Sequence, residues 1–136
     1  MKVIIVVDNI TNVMSKIDII KNRFKDIAIT TDCLAGFVGE TEEEFAETCE
    51  SFRKIGFAEA HIFPYSIRPN TKAFNMPNHL KPELIKERAC FLYNFLNHYF
   101  PNAYIFGVSA QGGEYKIDDQ FCDEMVKKTE KGERAY

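Results

Sequence analysis

A run of polar residues and glycines near the middle of the chain has the composition of a ligand-binding turn. Thr31 and Asp32 stand at the end of a predicted strand over residues 27–30, and a turn from Gly36 to Gly39 follows. Hydroxyl, carboxylate and backbone N–H groups in such a turn can hold a polar ligand. The same groups also satisfy backbone donors in ordinary turns, so both interpretations stay open.

The turn leads into a clearly signalled helix. Thr41 is a natural N-cap, and Glu44, three residues later, completes a capping box. An apolar stripe predicts a helix over residues 42–55, and Gly56 is its expected C-terminal stop. Strand, glycine turn and capped helix form a βα unit. Its loop lies at the carboxyl end of the strand, where α/β proteins usually place ligands.

The rest of the chain continues the same alternation of strand and helix. Apolar β-branched runs predict strands, and apolar stripes at helical spacing predict helices. The predicted strands are 2–7, 27–30, 58–65 and 103–109, and the predicted helices are 12–24, 42–55, 82–99 and one that begins at Asp118. We therefore expect one α/β domain over residues 1–136, with four βα units and a mainly parallel sheet. The sheet would be partial (β/α) barrel-like or open and doubly wound.

Composition sets further bounds. A chain of 136 residues is about one domain, with enough length to bury a core. A formal net charge of −3 gives no electrostatic attraction for nucleic acid. The longest apolar run, residues 3–7, is far shorter than a membrane span. We expect a cytoplasmic protein with no membrane partner.

The cysteines are too far apart for a short ligand motif. We expect Cys33, Cys49, Cys90 and Cys122 to be reduced thiols that pack as small core residues. A metal site that combines distant cysteines with histidines is a weaker alternative. The histidines concerned are His61, His79 and His98.

Two stretches of this sequence resemble one known family. Residues 26–44 read DIAITTDCLAGFVGETEEE, and residues 61–69 read HIFPYSIRP. They resemble the radical S-adenosylmethionine methylthiotransferases, which add a methylthio group to a modified adenosine of tRNA or, in one branch, to a ribosomal protein. The tRNA branch is the more similar. The resemblance covers about residues 13–92 and leaves residues 1–12 and 93–136 unmatched.

The resemblance implies part of a barrel and part of a cofactor pocket. The matching stretch corresponds to the fifth and sixth strands of the family's partial (β/α) barrel, a region that contributes to the S-adenosylmethionine pocket. A glycine turn there lets the backbone approach the ligand closely. By this carry-over, Gly36, Gly39 and Glu40 lie on the nucleoside side, Thr31 and Asp32 at the strand end, and Tyr65, Ser66 and Arg68 on the neighbouring wall.

Departures from the family pattern limit what the resemblance implies. The family's chemistry needs a [4Fe-4S] cluster on three closely spaced cysteines, and the cysteine spacing here does not supply those ligands. We predict no metal ligands and no catalytic residues. Val38 replaces a proline, and Asn70 stands where glycine is usual. Asparagine tolerates a left-handed backbone, so we expect the second change to be mild.

Two interpretations follow. In the first, the chain is a fragment or relic of a radical S-adenosylmethionine tRNA methylthiotransferase that is inactive alone. It would need a second chain that supplies the missing barrel half, or another copy of itself, and tRNA would be a partner only by family resemblance. In the second, the chain is a non-catalytic α/β scaffold or a module that binds a small molecule or a protein. A half-barrel should expose an apolar sheet edge.

Overall fold

The computed structural model describes residues 10–107 as helices alternating with parallel strands. The predicted strand 2–7 and the helix predicted from Asp118 lie outside the described residues. In chain order the elements are α1 (Ile10–Arg23), β1 (Thr30–Ala35), α2 (Glu42–Ile55), β2 (Glu59–Pro64), a 3₁₀ turn (Ala73–Asn75), α3 (Pro82–Tyr99) and β3 (Tyr104–Gly107).

The three described strands form one parallel sheet in the order β1-β2-β3. β1 pairs with β2 from Thr30 opposite Glu59 to Ala35 opposite Pro64. β2 pairs with β3 from Glu59 opposite Tyr104 onward. The predicted α/β class with a parallel sheet is confirmed. The described sheet is open and does not close into a barrel.

Helices cover one face of this sheet. The buried strand residues all point to that face; they are Cys33, Ala35, Ala60, Ile62 and Ile105. α3 packs on the sheet, α2 packs beside α3, and α1 packs beside α2. Phe45, Phe52 and Leu92 join the strand residues in a single core. The opposite face, which carries Asp32 and Leu34, is not covered by any described helix, and we call it the open face.

The helix that follows the glycine turn has the predicted ends. The backbone N–H of Thr41 donates to Glu44 Oε2 at 2.9 Å, and the N–H of Glu44 donates to Thr41 Oγ1 at 3.1 Å. This capping box satisfies two backbone donors at the start of α2. Gly56 ends the helix with a left-handed φ of 70°. The helix predicted over residues 82–99 is likewise confirmed, with Pro82 in its first turn.

The strand predicted over residues 27–30 is wrong in position. β1 begins at Thr30 and runs to Ala35, so Thr31 and Asp32 lie in its first half. Pairing with β2 decides the register, and the small side chains of Cys33 and Ala35 fit beneath the helices. Tertiary pairing therefore overrides the local apolar run at residues 27–29.

The cysteines only partly meet expectation. Cys33 and Cys49 are free and buried, as predicted. Cys90 is disulfide-bonded, so the expectation that it is a reduced thiol is wrong. A disulfide depends on proximity in the fold, which sequence spacing does not reveal. Among the described helices, none combines the length and the apolarity that crossing a lipid bilayer requires.

Candidate functional site

Parallel pairing places two loops at one edge of the sheet. Ala35 and Pro64 are register partners at the ends of β1 and β2, and we call this end of the sheet the carboxyl edge. The N–H of Tyr65 donates to the carbonyl of Ala35 at 2.9 Å, which extends the pairing by one residue. The ring of Phe37 meets the ring of Tyr65 edge-on, with centroids 5.2 Å apart. The loops after β1 and β2 are therefore in direct contact.

The loop over residues 36–40, which we call the glycine loop, uses its two glycines differently. Gly36 has a φ of 77°, and a Cβ there would lie 2.9 Å from Ile85 Cγ1 and 3.0 Å from Ile85 Cα. Gly39 has a φ of 75°, but a Cβ there would meet nothing within 4 Å. Gly36 is thus required for packing against α3. Gly39 is exposed at the carboxyl edge, and its N–H donates to the carbonyl of Asn78 at 3.0 Å.

A buried ion pair holds the glycine loop in place. Arg88 on α3 donates from Nη1 to Oε1 of Glu40 and to its carbonyl oxygen, each at 2.8 Å. Glu40 Oε1 also accepts from the N–H of Gly36 at 3.2 Å. The side chain of Arg88 is only 2% exposed and that of Glu40 14%. The Arg88 guanidinium also lies over the ring of Phe45, 5.4 Å from its centroid.

Burial dominates the electrostatics of this pair. It raises the pKa of the Glu40 carboxyl, while the hydrogen bond and the charge of Arg88 and the N–H of Gly36 oppose that rise. Glu40 therefore faces the protein interior, with Oε1 bound to Arg88 and Gly36. Its role in the structure is to position the loop. Arg88 was not predicted as a site residue, because only the folded chain brings α3 to the glycine loop.

The predicted site residues in the loop after β2 differ in how deeply they are buried. Tyr65 is half-buried, whereas Ser66 and Arg68 are exposed. The hydroxyl of Tyr65 is buried without a hydrogen-bond partner. Asn70 has a φ of 64°, which confirms that asparagine takes the left-handed conformation at this position.

His79 lies beside Tyr65 although the two are far apart in the sequence. Their rings are 6.2 Å apart and inclined by 20°. Nε2 of His79 is 3.2 Å from the carbonyl oxygen of Phe74, and Nδ1 is buried without a partner. Leaving a buried polar atom unpaired costs about 1–3 kcal/mol, so such atoms are uncommon in folded proteins. The sequence suggests His79 only as a weak candidate metal ligand, and nothing in it indicates this contact.

Thr31 and Asp32 lie apart from the carboxyl edge. Asp32 is three residues and Thr31 four residues before Ala35, a distance of about 10–13 Å along a strand. Asp32 Oδ1 is 3.2 Å from His61 Nδ1, and Glu59 Oε1 is 3.3 Å from His61 Nε2. The His61 ring stacks on Phe106 with centroids 5.2 Å apart. These residues form a polar and aromatic row across the open face.

A metal site and an apolar cavity are the alternatives to the carboxyl edge. Within the described part of the chain, no three His, Cys, Asp or Glu side chains are placed to hold a metal ion. A cavity of about 560 Å³ lies at the opposite, amino end of the strands. Its lining includes Phe57, Tyr99 and Tyr104 and is mainly apolar, with none of the predicted site residues. The carboxyl edge is therefore the better candidate site.

Removing Arg88 should destabilise the protein strongly. Arg88→Met leaves Glu40 buried without its cation, and we expect the free energy of unfolding at pH 7 to fall by about 3 kcal/mol. A carboxyl whose pKa is raised by folding favours the folded state most below its unfolded pKa, and this contribution is lost as pH rises through the folded pKa. The loss should therefore be smaller at pH 5 than at pH 7. Urea denaturation of Arg88→Met and of the Arg88→Met/Glu40→Gln double variant measures both effects. An equal fall in the free energy of unfolding at pH 5 and pH 7 would contradict the raised pKa of Glu40.

The two loop glycines should respond differently to alanine. Gly39→Ala adds only the strain of a left-handed backbone, about 1–2 kcal/mol. Gly36→Ala adds the same strain and a clash with the backbone of α3 at Ile85. We expect Gly36→Ala to be the more destabilising by at least about 1 kcal/mol in urea denaturation. Equal destabilisation by the two variants would show that Ile85 does not constrain residue 36.

Comparison with known proteins identifies relatives of part of the chain. No protein-family model matches it. A tRNA-2-methylthio-N(6)-dimethylallyladenosine synthase of Mycobacteroides abscessus is 45% identical over 75 residues, which is 55% of this chain and 15% of that protein. The protein of the same name from Caldicellulosiruptor saccharolyticus is 49% identical over 69 residues, 51% of this chain and 15% of its own length. The protein of the same name from Fusobacterium nucleatum is 40% identical over 75 residues, which is 55% of this chain and 17% of that protein.

The match is strong in identity and limited in extent. It covers about half of this chain and about 15% of the Mycobacteroides relative. The names of these relatives describe whole proteins, so they do not by themselves assign an activity to this chain. About half of this chain therefore resembles a segment of the tRNA methylthiotransferase family.

Proposed function

We propose that this chain carries part of an S-adenosylmethionine pocket of the methylthiotransferase type, at the carboxyl edge of its sheet. The observation that carries the proposal is the glycine loop. Gly39 presents accessible backbone there, next to Tyr65 and the loop after β2. The N–H of Gly39 is bonded to the carbonyl of Asn78 at 3.0 Å, so what Gly39 offers is an exposed backbone face with no side chain, which suits close van der Waals contact with a nucleoside. The related proteins add support, because their name denotes methylthiolation of a tRNA adenosine.

Within this proposal, the predicted site residues have different tasks. Gly39 provides the close backbone approach, and Gly36 and Glu40 hold the loop against α3. Tyr65 supplies an aromatic wall, and the exposed Ser66 and Arg68 continue that wall toward solvent. Thr31 and Asp32 lie in the first half of β1 and point to opposite faces of the sheet, so we leave them out of the proposed pocket. The proposed unit is one α/β domain over residues 1–136, in which residues 13–92 carry the pocket.

The described cysteines do not suit a [4Fe-4S] cluster. Cluster ligands are thiolates that converge on one site. Burial raises the pKa of Cys33 to about 12, and burial with the nearby Cys33 raises that of Cys49 to about 12 as well. Cys90 is disulfide-bonded. We therefore assign no radical step to these residues. We propose that the chain is catalytically inactive alone and that a different chain supplies the cluster, while the missing barrel half could come from that chain or from another copy of this one.

A non-catalytic role is the second candidate. The open face carries the apolar side chains of Leu34 and Phe106, exposed by 47% and 37%. A sheet face of this kind can pack against another protein, which favours a scaffold or binding module. Cofactor binding at the carboxyl edge separates the two candidates. We propose a cytoplasmic location for either candidate, whereas tRNA as the eventual substrate belongs to the first candidate alone.

Alkylation tests whether Cys33 and Cys49 are buried, protonated thiols. At pH 8, thiols with a pKa of about 12 are almost fully protonated and react slowly with alkylating agents. We expect iodoacetamide to leave Cys33 and Cys49 unmodified in the folded protein and to modify both in urea. Peptide mass spectrometry reads the two sites separately. Rapid modification of either cysteine in the folded protein would show an accessible thiolate and would reopen its assignment as a metal ligand.

Cofactor binding is tested by thermal unfolding with S-adenosylmethionine. A ligand at ten times its Kd stabilises the folded state by about 1.4 kcal/mol, which raises the Tm by about 3–5 °C for a chain of this size. We expect this rise for the wild type and its loss in Gly39→Ala.

Gly56→Ala is the matched control, because Gly56 has a similar left-handed φ of 70° but lies at the end of α2. Gly56→Ala should keep the full rise in Tm. A wild-type Tm that does not change with S-adenosylmethionine would favour the scaffold role.

A further inference from the structure

The cavity at the amino end of the strands combines a polar row with an apolar interior. Its volume of about 560 Å³ is within the usual range of small-molecule pockets, about 300–1,000 Å³. One of its walls is the first register row of the sheet, in which Thr30 lies opposite Glu59 and Glu59 opposite Tyr104. β2 separates this row from the carboxyl edge by about 16 Å, the length of the strand from Glu59 to Pro64.

The side chains of the row lie together on the open face. Ala60 and Ile105, which follow Glu59 and Tyr104 in their strands, are buried beneath the helices, and successive side chains point to opposite faces. Neighbouring strands are about 4.8 Å apart, so Glu59 has Thr30 on one side and Tyr104 on the other. One ligand group above Glu59 can therefore contact all three side chains.

The chemistry of the row favours a positive charge. Among the described residues that line the cavity, Glu59 is the only charged one. Its Oε1 is 3.3 Å from Nε2 of His61, and its Oε2 has no partner within the described part of the chain. His61 also contacts Asp32 at 3.2 Å, so even a protonated imidazole leaves the group of two carboxylates negative. The ring of Tyr104 is 69% exposed, and the face of a tyrosine ring attracts cations.

The interior of the cavity is aromatic. Phe57, Phe100 and Pro101 line it behind the row. The N–H of Ala103 donates to the carbonyl of Phe100 at 3.0 Å, which holds the turn that closes this end of the cavity. Aromatic walls favour an aromatic ligand, because paired rings gain contact beyond the burial of their area.

We propose that this cavity binds a small aromatic primary amine. The ammonium group donates to the Glu59 carboxylate and to the Thr30 hydroxyl and lies against the ring of Tyr104, while the aromatic body fills the cavity. Ammonium N–H groups to a carboxylate are among the strong hydrogen bonds of proteins. The site goes beyond the proposed function, because its lining lies at the opposite end of the strands from the glycine loop.

The probe is tryptamine, which carries a positive charge at neutral pH. Tryptophol has a hydroxyl in place of the amine and is its neutral counterpart. Amide NMR spectra of the full chain, recorded during titration, give Kd and locate the bound compound. We expect tryptamine to shift the signals of Glu59 and Tyr104 and to bind at least about tenfold more tightly than tryptophol. Equal affinity for the two compounds, or no binding of tryptamine, would overturn the inference.

Two acid-to-amide variants separate the cavity from the rest of the open face. Glu59→Gln keeps the shape of the side chain and removes its charge, and we expect the Kd of tryptamine to rise at least about tenfold. Asp32→Asn is the matched control, because Asp32 contacts the same histidine but does not line the cavity. Its Kd should not change. Equal weakening by both variants would show a general attraction to the open face and would overturn the site.

The ring of Tyr104 is tested independently of the carboxylate. Tyr104→Phe keeps the ring and should keep the affinity. Tyr104→Leu removes it and should raise the Kd of tryptamine about two- to fivefold, as expected for a cation–π contact at an exposed site. Because Tyr104 is exposed, neither change should prevent folding, which the NMR spectra check directly. The same Kd in both variants would overturn the contact with the ring.

S-adenosylmethionine separates this site from the proposed pocket. Tryptamine should bind with the same Kd when S-adenosylmethionine is present. Tryptamine-induced shifts at Tyr65 that disappear when S-adenosylmethionine is added would place the amine at the carboxyl edge and would overturn the inference. Binding of tryptamine at Glu59 without any binding of S-adenosylmethionine would support the inference and count against the proposed function alone.

Discussion

The ion pair between Arg88 and Glu40 is the interaction on which the carboxyl edge depends. It joins a helix late in the described chain to a loop almost fifty residues earlier, and both side chains are largely buried. A buried charge pair contributes little net stability compared with apolar residues of the same volume, because desolvation offsets the attraction. What it provides here is a fixed position. The guanidinium reaches both the carboxylate and the carbonyl of Glu40, so the loop has one arrangement relative to α3.

In that fixed arrangement, the residues of the glycine loop have different roles. Gly36, Gly39 and Glu40 resemble a ligand-binding set, yet only Gly39 presents open backbone. Gly36 is explained by its contact with Ile85, and Glu40 by its contact with Arg88. Residues that a motif groups together can therefore divide into one whose backbone is exposed and others that hold the loop in place.

Local signals predicted the helices better than the strands or the site. The capping box at Thr41 and the stop at Gly56 set the ends of α2, because both act within one turn of the chain. The position of β1 depends on pairing with β2 and was predicted three residues too early at its start. The proximity of Tyr65 and His79 could not be predicted, because it depends on how the intervening loop folds back.

The two loops at the carboxyl edge should differ in their tolerance of length change. The glycine loop is short, and the contacts of Gly36 with Ile85 and of Glu40 with Arg88 fix it near both ends. With an added residue there, the Gly36–Ile85 contact and the Glu40–Arg88 ion pair could not both form. The loop over residues 66–78 is exposed, and insertions into exposed loops cost little because closure entropy grows slowly with length. The second loop should therefore accept changes in length that the glycine loop does not.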